Sequence, residues 1–150
     1  MSDYVTFTTA GQLFGLPIEQ VQDVFTLGNL TRVPLAGCEI AGVLNLRGRI
    51  VTVIDLANRL QLEAPRNATA RMVIGIERGA ESFGILVDRM GEVLSLVDGD
   101  REPTPIHLDR VLDAAATGVF RLDEKILVAL DASRMLDFGN SRSSAAPGER

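Results

Sequence analysis

The 150 residues suffice for one domain or two very small ones, and 46% of them are hydrophobic, enough for a packed core. The formal net charge of −5 repels phosphate backbones, and the lack of Trp with only one Tyr removes most stacking platforms for bases. The composition therefore disfavours general nucleic-acid binding.

Cysteine content and hydropathy bear on the compartment. The single cysteine, Cys38, cannot form an internal disulfide, which is typical of a reducing compartment. No apolar run approaches the roughly 18 residues of a membrane span, and the N-terminus lacks the pattern of a signal peptide. We therefore expect a cytoplasmic protein that does not insert into a membrane.

The beginning of the chain predicts short strands. Residues 5–7 alternate apolar with polar side chains, and a turn at 11–12 precedes a return strand at 13–16. Residues 18–27 fit either a helical turn or a strand, and both interpretations remain open. Residues 28–41 contain Gly, Asn and Pro and predict a loop.

The middle of the chain predicts a hairpin and a capped helix. Two β-branched runs, 42–46 and 50–54, flank Arg47-Gly48. Asp55 is a good N-cap, so a short helix should follow it, through Leu60. Residues 61–71 contain Pro and Asn and predict a linker.

The second half predicts a similar series. Residues 97–117 predict a long loop with a helical turn near His107, and Asp131 caps a second short helix through Leu136. The polar end, residues 139–150, predicts a disordered tail. Strands are predicted at 72–76, 83–87, 92–96, 118–122 and 126–130.

Two stretches of the first half recur in the second half. Residues 42–60 align with 118–136 without a gap, and six of the 19 positions are identical. Residues 14–27 similarly align with 83–96. The offsets are 76 and 69, because the loop between the two matches is seven residues longer in the second half. An internal duplication explains both matches.

Each repeat is too small to fold alone. Units of this size rarely bury enough apolar surface, and short antiparallel strands remove their edges by closing into a barrel. We therefore expect a mainly all-β fold of two five-stranded β-barrels with short capping helices. The predicted domain covers 1–138, with barrels at about 3–60 and 72–136. Exchange of elements between the barrels is left open.

The two copies differ at the hairpin turn. The first has Asn45-Leu46-Arg47-Gly48 and the second has Arg121-Leu122-Asp123-Glu124. Neutral drift at a solvated turn is one interpretation. The other is that Arg47 serves only the first barrel, since a guanidinium suits carboxylates or carbonyls on a partner. Gly48 would allow a positive φ beside it.

Residue patterns for catalysis and metal binding are scarce. His107 is the only histidine, so a site with two His is excluded, and we expect His107 at the surface. A nucleophile pair would need the fold to bring Cys38 to His107. Asp55 and Asp131 are equivalent carboxylates, and helix capping explains both. Phosphate-binding glycine motifs are absent, so we predict a non-catalytic interaction module with no cofactor and no metal.

Three stretches resemble hallmark segments of the CheW family of chemotaxis coupling proteins. They are GVLNLRGRIVTVIDL (42–56), FGILVDRMGEVLSL (83–96) and GVFRLDEKILVALDASRML (118–136), and the resemblance covers about residues 3–138. The resemblance implies two SH3-like five-stranded β-barrels. It also implies a non-catalytic adaptor that bridges the cytoplasmic signalling tip of chemoreceptors to the CheA histidine kinase, whose regulatory domain has the same fold. Such an adaptor would be recruited to membrane-anchored receptor arrays.

The resemblance implies a receptor-binding set. Arg47 corresponds to the arginine of the Asn-Leu-Arg-Gly motif that the family needs for coupling to receptors, and Asn45 and Gly48 flank it. Second-barrel positions that border the receptor groove correspond to Gly84, Met90 and Val93. From the residues alone, Met90 and Val93 are more typical of a core strand, and only the resemblance assigns them to the groove.

The resemblance also implies a kinase-binding set. Val21 and Asp23 correspond to first-barrel positions linked to the kinase contact, and Val24 follows them. Asp23 replaces a Glu, which keeps the charge and shortens the reach. Val24-Phe25 replaces an Ile-Arg pair, so the partner surface is expected to differ in detail.

Three alternatives remain open at this point. The adaptor could serve a non-flagellar chemosensory pathway, such as one governing pili. A small-barrel cofactor binder, for example a flavin-binding barrel, would need phosphate contacts and aromatic stacking that the chain does not clearly offer. A nucleic-acid-binding barrel is disfavoured by the charge and the few aromatic residues.

Overall fold

The computed structural model describes residues 1–62, 71–104 and 114–136. Predictions that fall on 63–70, 105–113 and 137–150 lie outside the described residues: most of the linker, the helical turn near His107, and the tail. The strands are β1 (Ser2–Thr9), β2 (Gln12–Pro17), β3 (Asp23–Thr26), β4 (Ile40–Leu46), β5 (Arg49–Asp55), β6 (Met72–Arg78), β7 (Glu81–Val87), β8 (Arg89–Leu96), β9 (Ala116–Arg121) and β10 (Ile126–Leu130).

Short helices follow the last strand of each repeat. Helix α1 spans Leu56–Arg59 and helix α2 spans Ala132–Met135. As predicted, Asp55 accepts a hydrogen bond from the Asn58 amide at 3.3 Å, and Asp131 accepts one from the Arg134 amide at 3.1 Å. Each carboxylate thus satisfies a free amide of the first turn.

The strands form two five-stranded sheets with the same internal order. Sheet I has the order β3-β6-β7-β5-β4, and sheet II has the order β8-β1-β2-β10-β9. Neighbouring strands are antiparallel except for the parallel pairs β5–β7 and β2–β10. Replacing each strand of sheet I by its equivalent in the other repeat gives the order of sheet II, as the duplication predicts. The predicted mainly β fold with two five-stranded units is confirmed.

Each sheet takes a hairpin from the opposite half of the chain. The β1–β2 hairpin of the first half joins β8, β9 and β10, whereas the β6–β7 hairpin of the second half joins β3, β4 and β5. The ranges 3–60 and 72–136 therefore both contribute to both sheets. This is the exchange of elements that the sequence left open.

The chain crosses between the sheets twice, and side chains hold both crossings. The first crossing contains the 3₁₀ turn Ile18–Gln20, which resolves the ambiguous segment into a turn followed by β3. The Gln20 amide donates to Asp131 at 3.0 Å and accepts from the Ala132 amide at 2.8 Å. The second crossing is Asp88, whose carboxylate accepts from the Ala10 amide at 3.0 Å.

Three hydrophobic clusters fill the interior. The central cluster lies between the sheets and combines Phe7, Phe14 and Leu16 of sheet II with Ile54, Ile74 and Ile85 of sheet I. Each of these side chains is fully buried, and such burial contributes roughly 1.5–3 kcal/mol apiece. Sheet I encloses Leu44, Val51, Val53, Val73 and Leu86, and sheet II encloses Tyr4, Phe120, Leu127 and Ala129.

The expectation of closed barrels needs a correction. In the part of the chain that the structure describes, no strand ladder joins β3 to β4 or β8 to β9, so both sheets are open. The edges nevertheless face each other across a cluster: Phe25 and Leu27 pack with Leu44 and Leu46 inside sheet I. Each sheet is thus rolled around its own small core. One isolated backbone bridge in each sheet, Thr31–Val43 in sheet I and Glu102–Val119 in sheet II, joins the chain after β3 or β8 to the opposite edge strand.

Gly42 and its equivalent Gly118 share a conformation that an L side chain rarely adopts, with φ of +155° in both. A Cβ on Gly42 would lie 2.5 Å from the Thr31 carbonyl oxygen. We expect Gly42→Ala to lower the free energy of unfolding by roughly 1–3 kcal/mol, measured by urea denaturation. Gly28→Ala is the control, since a Cβ there meets nothing within 4 Å. Equal losses in the two variants would contradict this account of Gly42.

Candidate partner-binding surfaces

The turn between β4 and β5 holds Arg47 in an unusual backbone conformation. Arg47 and Gly48 have φ of +52° and +85°, while Leu46 pairs with Arg49. Positive φ at both central residues defines a type I′ hairpin turn, where Asn-Gly is favoured. The Asn45 side chain accepts a hydrogen bond from the Gly48 amide at 2.9 Å. An arginine at this position costs about 1 kcal/mol relative to a residue that tolerates positive φ.

The equivalent turn of sheet II forms without this strain. The Leu122 amide donates to the Lys125 carbonyl at 2.8 Å, which closes the turn around Asp123 and Glu124. Neither of these two residues has a positive φ. The hairpin itself therefore does not require the conformation of Arg47, and folding alone does not explain it.

Arg47 pairs with Asp23 across the two edges of sheet I. The Arg47 Nη1 and Asp23 Oδ2 atoms are 3.7 Å apart. The Arg47 side chain is 78% exposed and that of Asp23 is 27% exposed. A solvent-exposed pair of this kind contributes little to stability. The contact brings together the residue predicted for the receptor and a residue predicted for the kinase.

The other predicted kinase residues flank Asp23 along the chain. Val21 is half-buried and packs against the central cluster. Val24 lies in the edge strand β3 with 40% of its surface exposed. Val21 is thus partly a core residue, whereas Val24 is available to a partner.

The second-half residues predicted for the receptor lie in different environments. Val93 is 53% exposed on the edge strand β8, and Met90 is half-buried against the central cluster. Gly84 is buried in β7, where an added Cβ would lie 2.5 Å from a methyl group of Val73. Gly84 is therefore part of the packed interior and not of the surface. Met90 and Val93 are on sheet II, away from the Arg47 turn on sheet I.

The duplication relates the two predicted sets. With the offset of 69, Val21 corresponds to Met90 and Val24 corresponds to Val93. Val21 and Met90 are both half-buried, and Val24 and Val93 are both exposed on edge strands. The molecule thus presents two similar edges, and only one of them adjoins Arg47.

Two exposed isoleucines were not predicted as site residues. Ile50 is 62% exposed and Ile126 is 46% exposed, each directly after the hairpin turn of its sheet. They are identical residues at equivalent positions in the repeat. The sequence did not identify them as site residues. Alternation of apolar and polar residues predicts a strand, but it does not show that the end of the strand extends beyond the core.

Metal binding, a Cys–His pair and a membrane span are the remaining features considered in the sequence. Within 1–62, 71–104 and 114–136, no group of three or more His, Cys, Asp or Glu could hold a metal ion. His107, and with it any pairing to Cys38, lies outside these ranges. None of the described helices has the length and apolarity needed to cross a membrane.

A rolled pair of duplicated sheets that presents exposed aliphatic edges and a strained arginine is the architecture of a protein-binding adaptor. The model of the CheW-like domain family matches residues 3–139. The chain therefore belongs to the CheW-like family, a family of chemotaxis adaptors.

Similar proteins support this assignment. The chemotaxis protein CheW of Klebsiella aerogenes is 30% identical over 134 residues, covering 89% of this chain and 81% of that protein. CheW of Bacillus subtilis is 29% identical over 141 residues, covering 93% and 90%. Protein PilI of Pseudomonas aeruginosa is 29% identical over 125 residues, covering 83% and 70%.

A solved structure agrees with the fold. The crystal structure of the scaffolding protein TtCheW from Thermoanaerobacter tengcongensis matches with a TM-score of 0.79 and 29% identity. The match covers 86% of this chain and 83% of that one.

Proposed function

We propose that this adaptor couples the cytoplasmic signalling tips of chemoreceptors to a CheA-type histidine kinase in membrane-anchored arrays. The receptor contacts Asn45, Arg47 and Gly48 at the turn of sheet I and Met90 and Val93 on edge strand β8 of sheet II, and Gly84 contributes only through packing inside sheet I. Val21, Asp23 and Val24 form the kinase surface. Coupling takes place by binding, without a covalent step in this chain.

The conformation of Arg47 carries the proposal. A strained, exposed arginine lowers stability without serving the hairpin, which favours a task outside the fold. Its weak contact to Asp23 leaves the guanidinium accessible to carboxylates or backbone carbonyls on a helical receptor tip.

The Arg47–Asp23 ion pair couples the receptor surface to the kinase surface. A receptor carboxylate that binds Arg47 competes with Asp23, so receptor binding changes the charge balance at the edge of the kinase surface. The two partners then influence each other's affinity reciprocally, as linkage requires.

Aliphatic contacts supply the rest of the affinity. Val24 and Val93 are the exposed aliphatic residues of the two proposed surfaces, and full burial of one such side chain gains roughly 1.5–3 kcal/mol. After ordering costs, a few such contacts suit a reversible complex near micromolar affinity. Several copies in one array add avidity.

Arg47→Asn tests the receptor surface. Asparagine favours the type I′ turn beside Gly48, so we expect unchanged or higher stability in urea denaturation, with a gain of up to about 1 kcal/mol. Binding to a soluble receptor tip from the same genome, measured by calorimetric titration, should weaken about tenfold or more.

Asp123→Asn, at the equivalent turn of sheet II, is the matched control and should leave receptor affinity unchanged. The kinase regulatory domain should still bind Arg47→Asn. If Arg47→Asn binds the receptor tip as tightly as the wild type does, the proposed role of Arg47 in receptor binding is wrong.

Two equivalent valines test the division between partners. Val24→Ser should weaken binding to the kinase regulatory domain and leave receptor affinity unchanged, whereas Val93→Ser should do the reverse. Both side chains are at least 40% exposed, so each substitution should cost less than about 1 kcal/mol of stability. Surface plasmon resonance with each partner in turn measures both affinities. Two variants with the same partner profile would contradict the separate surfaces.

The similarity to PilI favours a second candidate, an adaptor of a pilus-linked chemosensory pathway. The same surfaces would serve a different receptor and kinase. Deletion of the coding sequence in the source organism distinguishes the two candidate functions. Loss of directed swimming supports the first candidate, and loss of pilus-dependent surface motility supports the second.

A further inference from the structure

The side chain of Gln20 joins the first crossing segment to helix α2 of the second half. Its Nε2 atom donates to Asp131 Oδ1 at 3.0 Å, and its Oε1 atom accepts from the Ala132 amide at 2.8 Å. These two hydrogen bonds form the Gln20 latch. Because the carboxylate only accepts and the backbone amide only donates, the side-chain amide of Gln20 fits in one orientation alone.

The equivalent cap of sheet I forms without such a latch. Asp55 corresponds to Asp131, and it caps α1 and pairs at 3.3 Å with Arg71, which directly precedes β6 of the same sheet. With the offset of 69, Gln20 corresponds to Arg89, which is exposed in β8. Helix capping in the duplicated fold therefore does not require the latch, and the latch is a feature of one repeat.

The latch lies directly before the kinase surface. Strand β3 begins at Asp23, three residues after Gln20, and it is a four-residue edge strand that pairs with β6. The Gln22 amide donates to the Gly75 carbonyl at 2.8 Å, so sheet I binds this segment from one side. The latch binds the same segment to sheet II. A segment that is already ordered in the free protein costs less to order when a partner binds it.

A cleft of about 470 Å³ gives solvent access to the latch. Its walls come from the crossing segment, β6 and α2, and they include Glu19, Val21 and Glu77. Glu77 pairs with Arg49 at 3.0 Å, and Glu19 is exposed. A carboxylate introduced in place of the Gln20 amide would therefore face Asp131 in an acidic cleft, where like charges repel.

We propose that Gln20 is a positioning residue for kinase binding. Through its two hydrogen bonds, α2 of sheet II fixes residues 21–24 at the edge of sheet I in the conformation that the kinase binds. The inference rests on the proposed kinase surface and adds a support that the kinase need not touch. Sheet II thus contributes to kinase affinity, although the proposed kinase residues lie in the crossing segment and in β3.

Gln20→Met tests the latch, because it keeps the length of the side chain and removes both hydrogen bonds. Calorimetric titration of the full chain with the kinase regulatory domain should show binding that is about three- to tenfold weaker, the range of one net hydrogen bond. Affinity for the receptor tip should change less than about twofold, within the range of a surface substitution. Amides of residues 21–26 should exchange hydrogen faster.

Reversal of the hydrogen bond supplies a rescue. Gln20→Glu should weaken kinase binding, since it places two carboxylates together. Asp131→Asn alone should also weaken it, since the Gln20 Nε2 donor then faces another amide. Both substitutions in one chain should restore affinity to within about twofold of the wild type, because the new amide donates to the new carboxylate and Asn remains a good N-cap.

Arg59→Met is the matched control. Arg59 of α1 donates to the Met135 and Arg134 carbonyls at 2.8 and 3.2 Å, so it binds the last turn of α2 and not the crossing segment. Arg59→Met should lower the midpoint of urea unfolding, as Gln20→Met should, yet leave kinase affinity unchanged.

Unchanged kinase affinity of Gln20→Met, an equal loss in Arg59→Met, or no recovery in the double variant would each overturn the proposal. A wild type that does not bind the regulatory domain would contradict the kinase surface itself. Hydrogen exchange of residues 21–26 then still decides the latch: faster exchange in Gln20→Met but not in Arg59→Met supports it, and equal exchange overturns it.

Discussion

The exchange of hairpins between the two halves is the constraint on which the structure depends. Strand β2 lies between β1 and β10, so without the first hairpin sheet II would separate into β8 and the β9–β10 pair. The second hairpin is equally central to sheet I. Phe14 and Ile85 of the exchanged hairpins also meet in the central cluster. Each sheet therefore needs strands from both halves of the chain, and the two hairpins tie the two units together.

The duplication was predictable because geometry requires the same residues in both copies. Gly42 and Gly118 share a φ that excludes a side chain, and Asp55 and Asp131 cap equivalent helices. The exchange of hairpins was not predictable, because a hairpin has the same alternation whichever sheet it joins. The open edges were missed for a related reason: only one bridge in each sheet, Thr31–Val43 or Glu102–Val119, joins its edges, and a single bridge leaves no sequence pattern distinct from that of a closed barrel.

The candidate site was also predictable from the sequence only in part. Arg47 stood out because its turn differs from the equivalent turn of sheet II. Its contact to Asp23 could not be inferred, since these residues lie on opposite edges of sheet I and meet only because the sheet is rolled. Gly84 was assigned to a surface by resemblance, whereas in the structure it is buried against Val73.

Comparison of the two repeats distinguishes residues that the fold requires from residues that are free to serve a function. Positions that are identical in the two repeats, such as Gly42 and Gly118, are required by a backbone geometry that both sheets share. Positions that differ are free of that requirement, and Arg47 is one of them. Its equivalent, Asp123, occupies an unstrained turn of opposite charge. A duplicated scaffold begins with two equal ends, which would bind the same partner. Reversing the charge of one turn makes the two ends chemically different, so that they no longer select the same contacts.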